Sequence, residues 1–249
     1  MPEVNAVEVS GLSVSYGGSR VLDGISLSVA QGEFVALLGA VGTGKTTLLL
    51  CLNGVIPKLV PAKVTGKVVA FGLDSSMHPV QKLSRDVAFV FQDPDDQIFS
   101  LTVEEEVGFA LKNAGLPAEK IKARVADALK LVGIADFASR DPSTLSFGQK
   151  QKVAIACAVA TDARLLCLDE PASALDHRSC VELFELLRRL NSQGRTIVIS
   201  SHDTDLLAKY AARFVVLGGG KVILDGGKEV FRSTQFRDAG LKVPCILEG

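Results

Sequence analysis

Residues 39–46 read GAVGTGKT, and Gly39, Gly44, Lys45 and Thr46 meet the pattern G-x-x-x-x-G-K-[ST]. These residue types suit a polyphosphate. Glycines let the backbone turn tightly enough for successive N–H groups to face an anion. Lys45 adds a mobile positive charge for β- and γ-phosphates, and Thr46 offers a hydroxyl to Mg²⁺. The positive end of the following helix points at the same place. The run Gly39, Ala40, Val41, Gly42, Thr43, Gly44, Lys45, Thr46 and Thr47 is therefore the candidate phosphate cradle. A second group is Asp169-Glu170, at the end of the apolar run LLCLDE (165–170). Beside a phosphate loop, Asp169 is a candidate Mg²⁺ ligand, and Glu170 a candidate for polarising a water against a γ-phosphate. A third is LSFGQ (145–149), where Ser146 reads as an N-cap with Gly148 and Gln149 in the first turn. A helix start of that kind is also suited to an anion.

The elements that hold these residues are written in the hydrophobic pattern. EFVALLG (33–39) is a continuous apolar run of strand length, and TTLLLCLNG (46–54) is helix-like. The glycine loop thus joins a buried strand to a helix, the context its motif requires. VEVSGLSVSY (7–16) and VLDGISLSV (21–29) alternate and predict antiparallel strands, with KVVAFG (67–72) a third member of their sheet. VAFVFQ (87–92), RLLCLD (164–169) and RTIVISS (195–201) predict buried strands of a parallel core. From Thr102 the period becomes helical. Thr102 to Glu105 fit a capping box, and Val107, Leu111 and Ala114 follow at helical spacing. A second helix, Pro117 to Val132, carries Ile121, Val125 and Leu129 on one face, with Pro117 suited to the first turn. Further helices are expected from near Ser146, over Asp176 to Asn191, and from near Asp203. RFVVLGGGKVILDG (213–226) makes a hairpin through Gly218-Gly219-Gly220, and a short helix and a tail ending in VPCILEG follow. The fold expected is α/β: a P-loop NTPase with a parallel core sheet, an antiparallel β subdomain and an inserted α-helical subdomain. One domain would span residues 1–235, with the insertion at about 93–160 and a short tail over 236–249.

Composition narrows the function classes. The chain has 249 residues, 47% of them apolar, enough for a sizeable core. The formal net charge of −1 lacks the basic footprint of a nucleic-acid binder. Lys112, Lys120, Lys122, Arg124 and Lys130 are interrupted by acids and apolar residues and read as a solvated helix face. The five cysteines form no C-x-x-C pair and sit mostly among apolar neighbours, so they read as small buried hydrophobes in a reducing compartment. MPEVNAVEVS lacks the basic and apolar regions of a signal peptide, and the longest apolar runs, such as VAIACAVA (153–160), are core length. The expectation is a cytosolic protein whose membrane role, if any, comes through a partner.

The order P-loop, LSFGQ, LLCLDEP, SALD (173–176) and Ser201-His202 resembles the ABC-transporter ATPases, over nearly the whole chain. The resemblance implies roles. Tyr16 matches the aromatic that stacks on adenine. Gln92 matches the glutamine that senses Mg²⁺ and contacts the membrane partner. Asp169 and Glu170 match the metal-binding acid and the catalytic base. Asp176 matches the loop across the dimer interface, and His202 the switch histidine that touches the γ-phosphate. Ser146, Gly148 and Gln149 would complete the site of a second subunit, with Phe147 standing where the usual LSGGQ signature has a glycine. His78 and His177 match no motif and read as surface residues. The stretch FVFQDPDDQIFSLTVEEEVGFAL (89–111), KVAIA after the signature and AGLKVP (239–244) resemble the ATPase subunits of energy-coupling-factor importers, including the cobalt and nickel systems. That likeness implies ATP and Mg²⁺, and a groove after Gln92 for helices of a transmembrane coupling subunit. Asp93, Asp96 and Gln97 would lie in or beside the groove. It also implies a substrate-binding membrane subunit, and either a homodimer or a heterodimer with a related ATPase, at the cytoplasmic face of the cell membrane. The cargo would be a cobalt or nickel ion or a vitamin; another class of ABC transporter is the alternative. Long-tailed members use their tails for dimer contacts, and the tail here is short.

Overall fold

The computed structural model describes residues 5–245. The first four residues and residues 246–249, the end of the expected tail, lie outside the described residues. In chain order the strands are β1 (Asn5–Tyr16), β2 (Ser19–Ala30), β3 (Phe34–Leu38), β4 (Lys63–Ala70), β5 (Leu73–Asp74), β6 (Val87–Val90), β7 (Leu165–Asp169), β8 (Thr196–Ser200), β9 (Arg213–Gly218) and β10 (Lys221–Gly226). The helices are α1 (Lys45–Leu52), the single turns α2 (Val55–Lys58) and α3 (Val80–Leu83), then α4 (Val103–Asn113), α5 (Ala118–Val132), α6 (Phe147–Ala160), α7 (His177–Ser192), α8 (Thr204–Tyr210) and α9 (Thr234–Asp238).

Two sheets divide the molecule. The first is antiparallel, in the order β2-β1-β4-β5. Its inward residues Val7, Val9, Leu12 and Val14 share a core with Leu48, Leu49 and Leu52 of α1. The second has the order β10-β9-β3-β8-β7-β6, parallel except for β10 at its edge. Every residue of β3, β7 and β8 is buried. Strands covered on both faces lose the alternation of a one-sided sheet and become continuous apolar runs, which is why their sequences read as they do. Register then sets the site. Leu37 of β3 and Asp169 of β7 both pair with Ser200 of β8. The loops that leave these three strands at their carboxyl ends are therefore neighbours, the usual place for a ligand in an open α/β sheet.

Helices α4, α5 and α6 pack through Val103, Val107, Leu111, Val125, Leu129 and Val153 into the larger core. Some local expectations are corrected. Ala114 follows the last turn of α4 and is exposed, and Pro117 stands at the N-cap of α5, while Ile121 packs against the same core as Val125 and Leu129. The capping box at Thr102–Glu105 is half made. Thr102 Oγ1 accepts from the Glu105 N–H at 3.3 Å, but the acid that turns back is Glu106. Its buried carboxylate accepts from the N–H groups of Phe99 (3.0 Å) and Ser100 (2.8 Å). Strand β6 ends at Val90, so Phe91 and Gln92 already belong to the loop.

Candidate functional site

The phosphate-loop residues need their glycines. Gly39, Gly42 and Gly44 have φ of 151°, 82° and 96°, a region that L side chains rarely adopt. A Cβ at Gly39 would also meet Thr43 Oγ1 at 2.6 Å and the Leu217 carbonyl oxygen at 2.7 Å. Gly44 is the N-cap of α1 and supplies no side-chain acceptor, so the first N–H groups of that helix are left for a ligand. Val41 at the loop tip is fully exposed. Lys45 is buried, and its Nζ donates to the carbonyls of Gly39 (2.8 Å) and Ala40 (3.2 Å) and lies 3.8 Å from Glu170 Oε1.

Beside this cradle lies a chain of oxygens. Thr46 Oγ1 donates to Asp169 Oδ2 at 2.5 Å, and Ser200 Oγ donates to Asp169 Oδ1 at 2.5 Å. Asp169 is buried, so two hydroxyls take over the solvation its carboxylate has lost. Ser200 Oγ also accepts from the Glu170 N–H at 2.9 Å, which is shared with the Ser200 carbonyl at 3.1 Å. Those bonds hold Glu170 at φ 45°, a strained conformation for a side-chain-bearing residue, costing about 1 kcal/mol or more. Glu170 Oε2 is 2.9 Å from His202 Nδ1. A hydroxyl and a carboxylate beside a phosphate cradle are hard oxygen ligands of the kind Mg²⁺ takes alongside phosphate, so the residues present fit that ion. Among the described residues no group of three or more His, Cys, Asp or Glu side chains is arranged to hold a metal alone. A divalent ion here would complete its shell with water or substrate oxygens.

The structure thus brings Lys45, Thr46, Asp169, Glu170 and His202 together. Tyr16, at the end of β1, leans over the start of α1 with its hydroxyl 3.5 Å from Thr47 Oγ1. Gln92 reaches Ser173 Oγ from its Nε2 at 3.4 Å. The signature residues form a separate group. Ser146 and Gln149 close a capping box at the start of α6, with Ser146 N donating to Gln149 Oε1 at 2.9 Å and Gln149 N donating to Ser146 Oγ at 3.4 Å. A Cβ on Gly148 would touch Leu175 at 3.2 Å. Nearby, Asp176 caps α7, and the backbone N–H and hydroxyl of Ser179 hold its carboxyl below the usual range. Among the described residues no hydrogen bond joins Ser146, Gly148 or Gln149 to residues 39–47. Phe147 is half-buried in this turn. His177 is exposed, while His78 is half-buried.

A groove of about 1070 Å³ opens between α4 and α5, lined by Phe99, Leu101, Phe109, Leu116 and Ile121 with Lys112 at its side. Phe99 and Phe109 meet edge to face at 4.7 Å and remain exposed, as does Leu101. Asp93, Asp96 and Gln97 do not line it. Asp93 Oδ1 accepts from the Asp95 N–H at 2.9 Å, and Gln97 Oε1 from the Phe91 N–H at 3.3 Å, so both shape the loop beside the groove. Sequence reasoning missed Ser200 as the clamp of Asp169 and Glu170, and missed the three exposed apolar residues. For Ser200 the available signal was a serine one pleat before Ser201-His202 at a buried strand end.

The family model described as ABC transporter matches residues 22–173. The energy-coupling factor transporter ATP-binding protein EcfA of Methanocaldococcus jannaschii is 41% identical over 244 residues, 96% of this chain and 86% of that protein. EcfA of Carboxydothermus hydrogenoformans is 37% identical over 98% of this chain and 89% of its own length. Among solved structures, CbiO1 from Clostridium perfringens, part of the ABC transporter complex CbiONQ, superposes with a TM-score of 0.83 at 35% identity, covering 98% of both chains. The cassette MJ0796, solved as a dimer in a post-hydrolysis state bound to ADP and Pi, has a TM-score of 0.77 at 28% identity over 89% of this chain and 98% of its own.

Proposed function

The chain belongs to the ABC transporter family of ATP-binding proteins, and from that premise we propose that it is the ATP-hydrolysing subunit of an energy-coupling-factor importer, working as a dimer. The observation that carries the dimer is the separation inside one chain. Lys45, Thr46, Asp169, Glu170 and His202 converge, while Ser146, Gly148 and Gln149 make a second anion-suited helix start that, among the described residues, has no hydrogen bond to the phosphate loop. Two copies facing each other bring the second group of one onto the nucleotide held by the other. The partner is a second copy or a related ATPase.

In this reading residues 39–47 bind the polyphosphate through backbone N–H groups, and the Lys45 ammonium turns from the Gly39 and Ala40 carbonyls to phosphate oxygens. Tyr16 stacks on adenine. Thr46 and Asp169 would hold Mg²⁺, with Gln92 its proposed sensor, and the ion would supply charge neutralisation on the phosphates. Glu170 orients the attacking water and accepts its proton, while His202 contacts the γ-phosphate and is itself oriented by Glu170. Asp176 keeps the interface loop in shape by capping α7. Hydrolysis then does mechanical work on a membrane partner. The groove at Phe99, Leu101 and Phe109 supports a docked apolar helix of a transmembrane coupling subunit. Among the described residues no helix is long and apolar enough to cross a membrane, in keeping with a peripheral subunit held at the cytoplasmic face by its partners. The cargo, a cobalt or nickel ion or a vitamin, would be bound by a separate membrane subunit.

Isolation of the intact membrane complex tests this. The expected result is a coupling subunit and a small integral cargo-binding subunit with the cargo attached. Recovery of two permease copies and a soluble binding protein would assign the chain to another importer class.

A further inference from the structure

His202 is an exposed side chain: 71% of it is accessible, and among the described residues its one hydrogen-bond partner is Glu170. Its aim is set by that bond and by the backbone of Ser201–Asp203 that carries the ring. Locally, Ser201 Oγ accepts from the Asp203 N–H at 3.1 Å, and Asp203 caps α8 by accepting from the Leu206 N–H at 3.0 Å. Helix α8 has only seven residues, too few to be stable by itself. Leu206, Leu207 and Ala208 bury it in the main core, and its first turn takes further contacts from the other end of the chain. Buried Thr204 donates from Oγ1 to the Lys242 carbonyl at 2.9 Å. Asp205 accepts from the Cys245 N–H at 2.5 Å and pairs with Lys242 Nζ at 3.3 Å. The segment making these contacts is itself tied down. Leu241 and Val243 pack on the main core, and Pro244 is buried. Helix α9 before it is pinned by Phe236, whose ring meets Phe231 at 5.1 Å, and Phe231 meets Phe214 of β9 at 4.7 Å.

We propose that residues 241–245 act in cis as a strap on the first turn of α8, and that Thr204 is a positioning residue that aims His202 through the strap. This rests on the reading of His202 as the γ-phosphate contact. The tail of this chain then tunes hydrolysis within its own subunit, whatever it contributes to a dimer. The first turn of α8 follows His202 by two residues, so slack there becomes slack at the imidazole, and displacement of a catalytic group by about 1 Å can cost up to about a hundredfold in rate.

The test is steady-state ATP hydrolysis and nucleotide binding by the full chain, far below its melting temperature. Thr204→Val keeps the shape and removes the hydroxyl; Thr204→Ser keeps the hydroxyl; a chain ending at Gly240 removes the strap. The expected result is kcat lowered by about fivefold or more in Thr204→Val and in the truncation, with ATP affinity and stoichiometry unchanged, and parental kcat in Thr204→Ser. Should the truncation not fold, the Thr204 pair carries the test. Parental kcat in Thr204→Val, equal loss in Thr204→Ser, or loss of affinity together with kcat would overturn the strap. His202→Ala separates the two readings. If it abolishes hydrolysis while Thr204→Val does not, the strap alone fails; if it hydrolyses at the parental rate, the reading of His202 fails and the strap falls with it.

Discussion

Ser200→Ala removes a single hydroxyl that sits between the two acidic residues of the site. Ser200 has no accessible surface, and its Oγ donates to Asp169 Oδ1 at 2.5 Å while accepting from the Glu170 N–H at 2.9 Å. The second bond is the less costly to lose, because the Glu170 N–H retains the Ser200 carbonyl at 3.1 Å. The first is not replaced. Asp169 is 6% exposed, so water has little access to the freed oxygen, and only the Thr46 hydroxyl remains. A hydrogen bond to a charged group contributes about 1.5–3 kcal/mol, so a loss near 2 kcal/mol is expected, roughly. For a chain of this size each kcal/mol shifts the midpoint by about 2–4 °C, giving a fall of about 4–8 °C. Thermal unfolding followed by circular dichroism without nucleotide measures it. Hydrolysis should fall as well, by about tenfold to a hundredfold, because Asp169 and Glu170 both lose an anchor. A midpoint within about 1 °C of the parent would refute the claim that Ser200 solvates Asp169.

Two other substitutions test separate parts of the account. Gly39→Ala puts a Cβ within 2.7 Å of Thr43 Oγ1 and the Leu217 carbonyl at φ 151°, so the loop must shift; equilibrium binding of a fluorescent ATP analogue should weaken by at least about tenfold, with a stability loss of about 1–3 kcal/mol. Leu101→Asp, at an exposed position in the apolar groove, should leave hydrolysis by the isolated chain and its melting temperature unchanged, yet abolish recovery of the membrane complex by affinity purification.

What the sequence displayed and what it hid follow the range of the interactions concerned. The phosphate loop is local chemistry on eight residues, and so is the Ser146–Gln149 capping box. Strands β3, β7 and β8 were legible because burial on both faces leaves uninterrupted apolar runs. Ser200 was not, because its role depends on the β7–β8 register that sets Asp169 opposite it, a pairing across 31 residues of chain. Glu106 is one of three successive acids in VEEEVG, and the capping-box spacing points to Glu105 rather than to it. Only the fold of Phe99 and Ser100 over the start of α4 buries it and gives it two N–H donors. The apolar groove had no periodic signature, since Phe99 and Leu101 precede the helix and Phe109 lies on the face of α4 opposite its core residues. The contact of Lys242 and Cys245 with α8 joins segments about forty residues apart through backbone groups that no side-chain pattern encodes.

The central claim is that Glu170 drives hydrolysis in a nucleotide-bridged dimer, and Glu170→Gln tests it most directly. The substitution keeps the side chain's size and removes the carboxylate. In sedimentation with Mg²⁺ and ATP the variant should run as a stable dimer with nucleotide trapped in it, and its hydrolysis should be lower by about a hundredfold to ten-thousandfold. Parental turnover in that variant, or failure to dimerise while ATP is bound, would contradict the account.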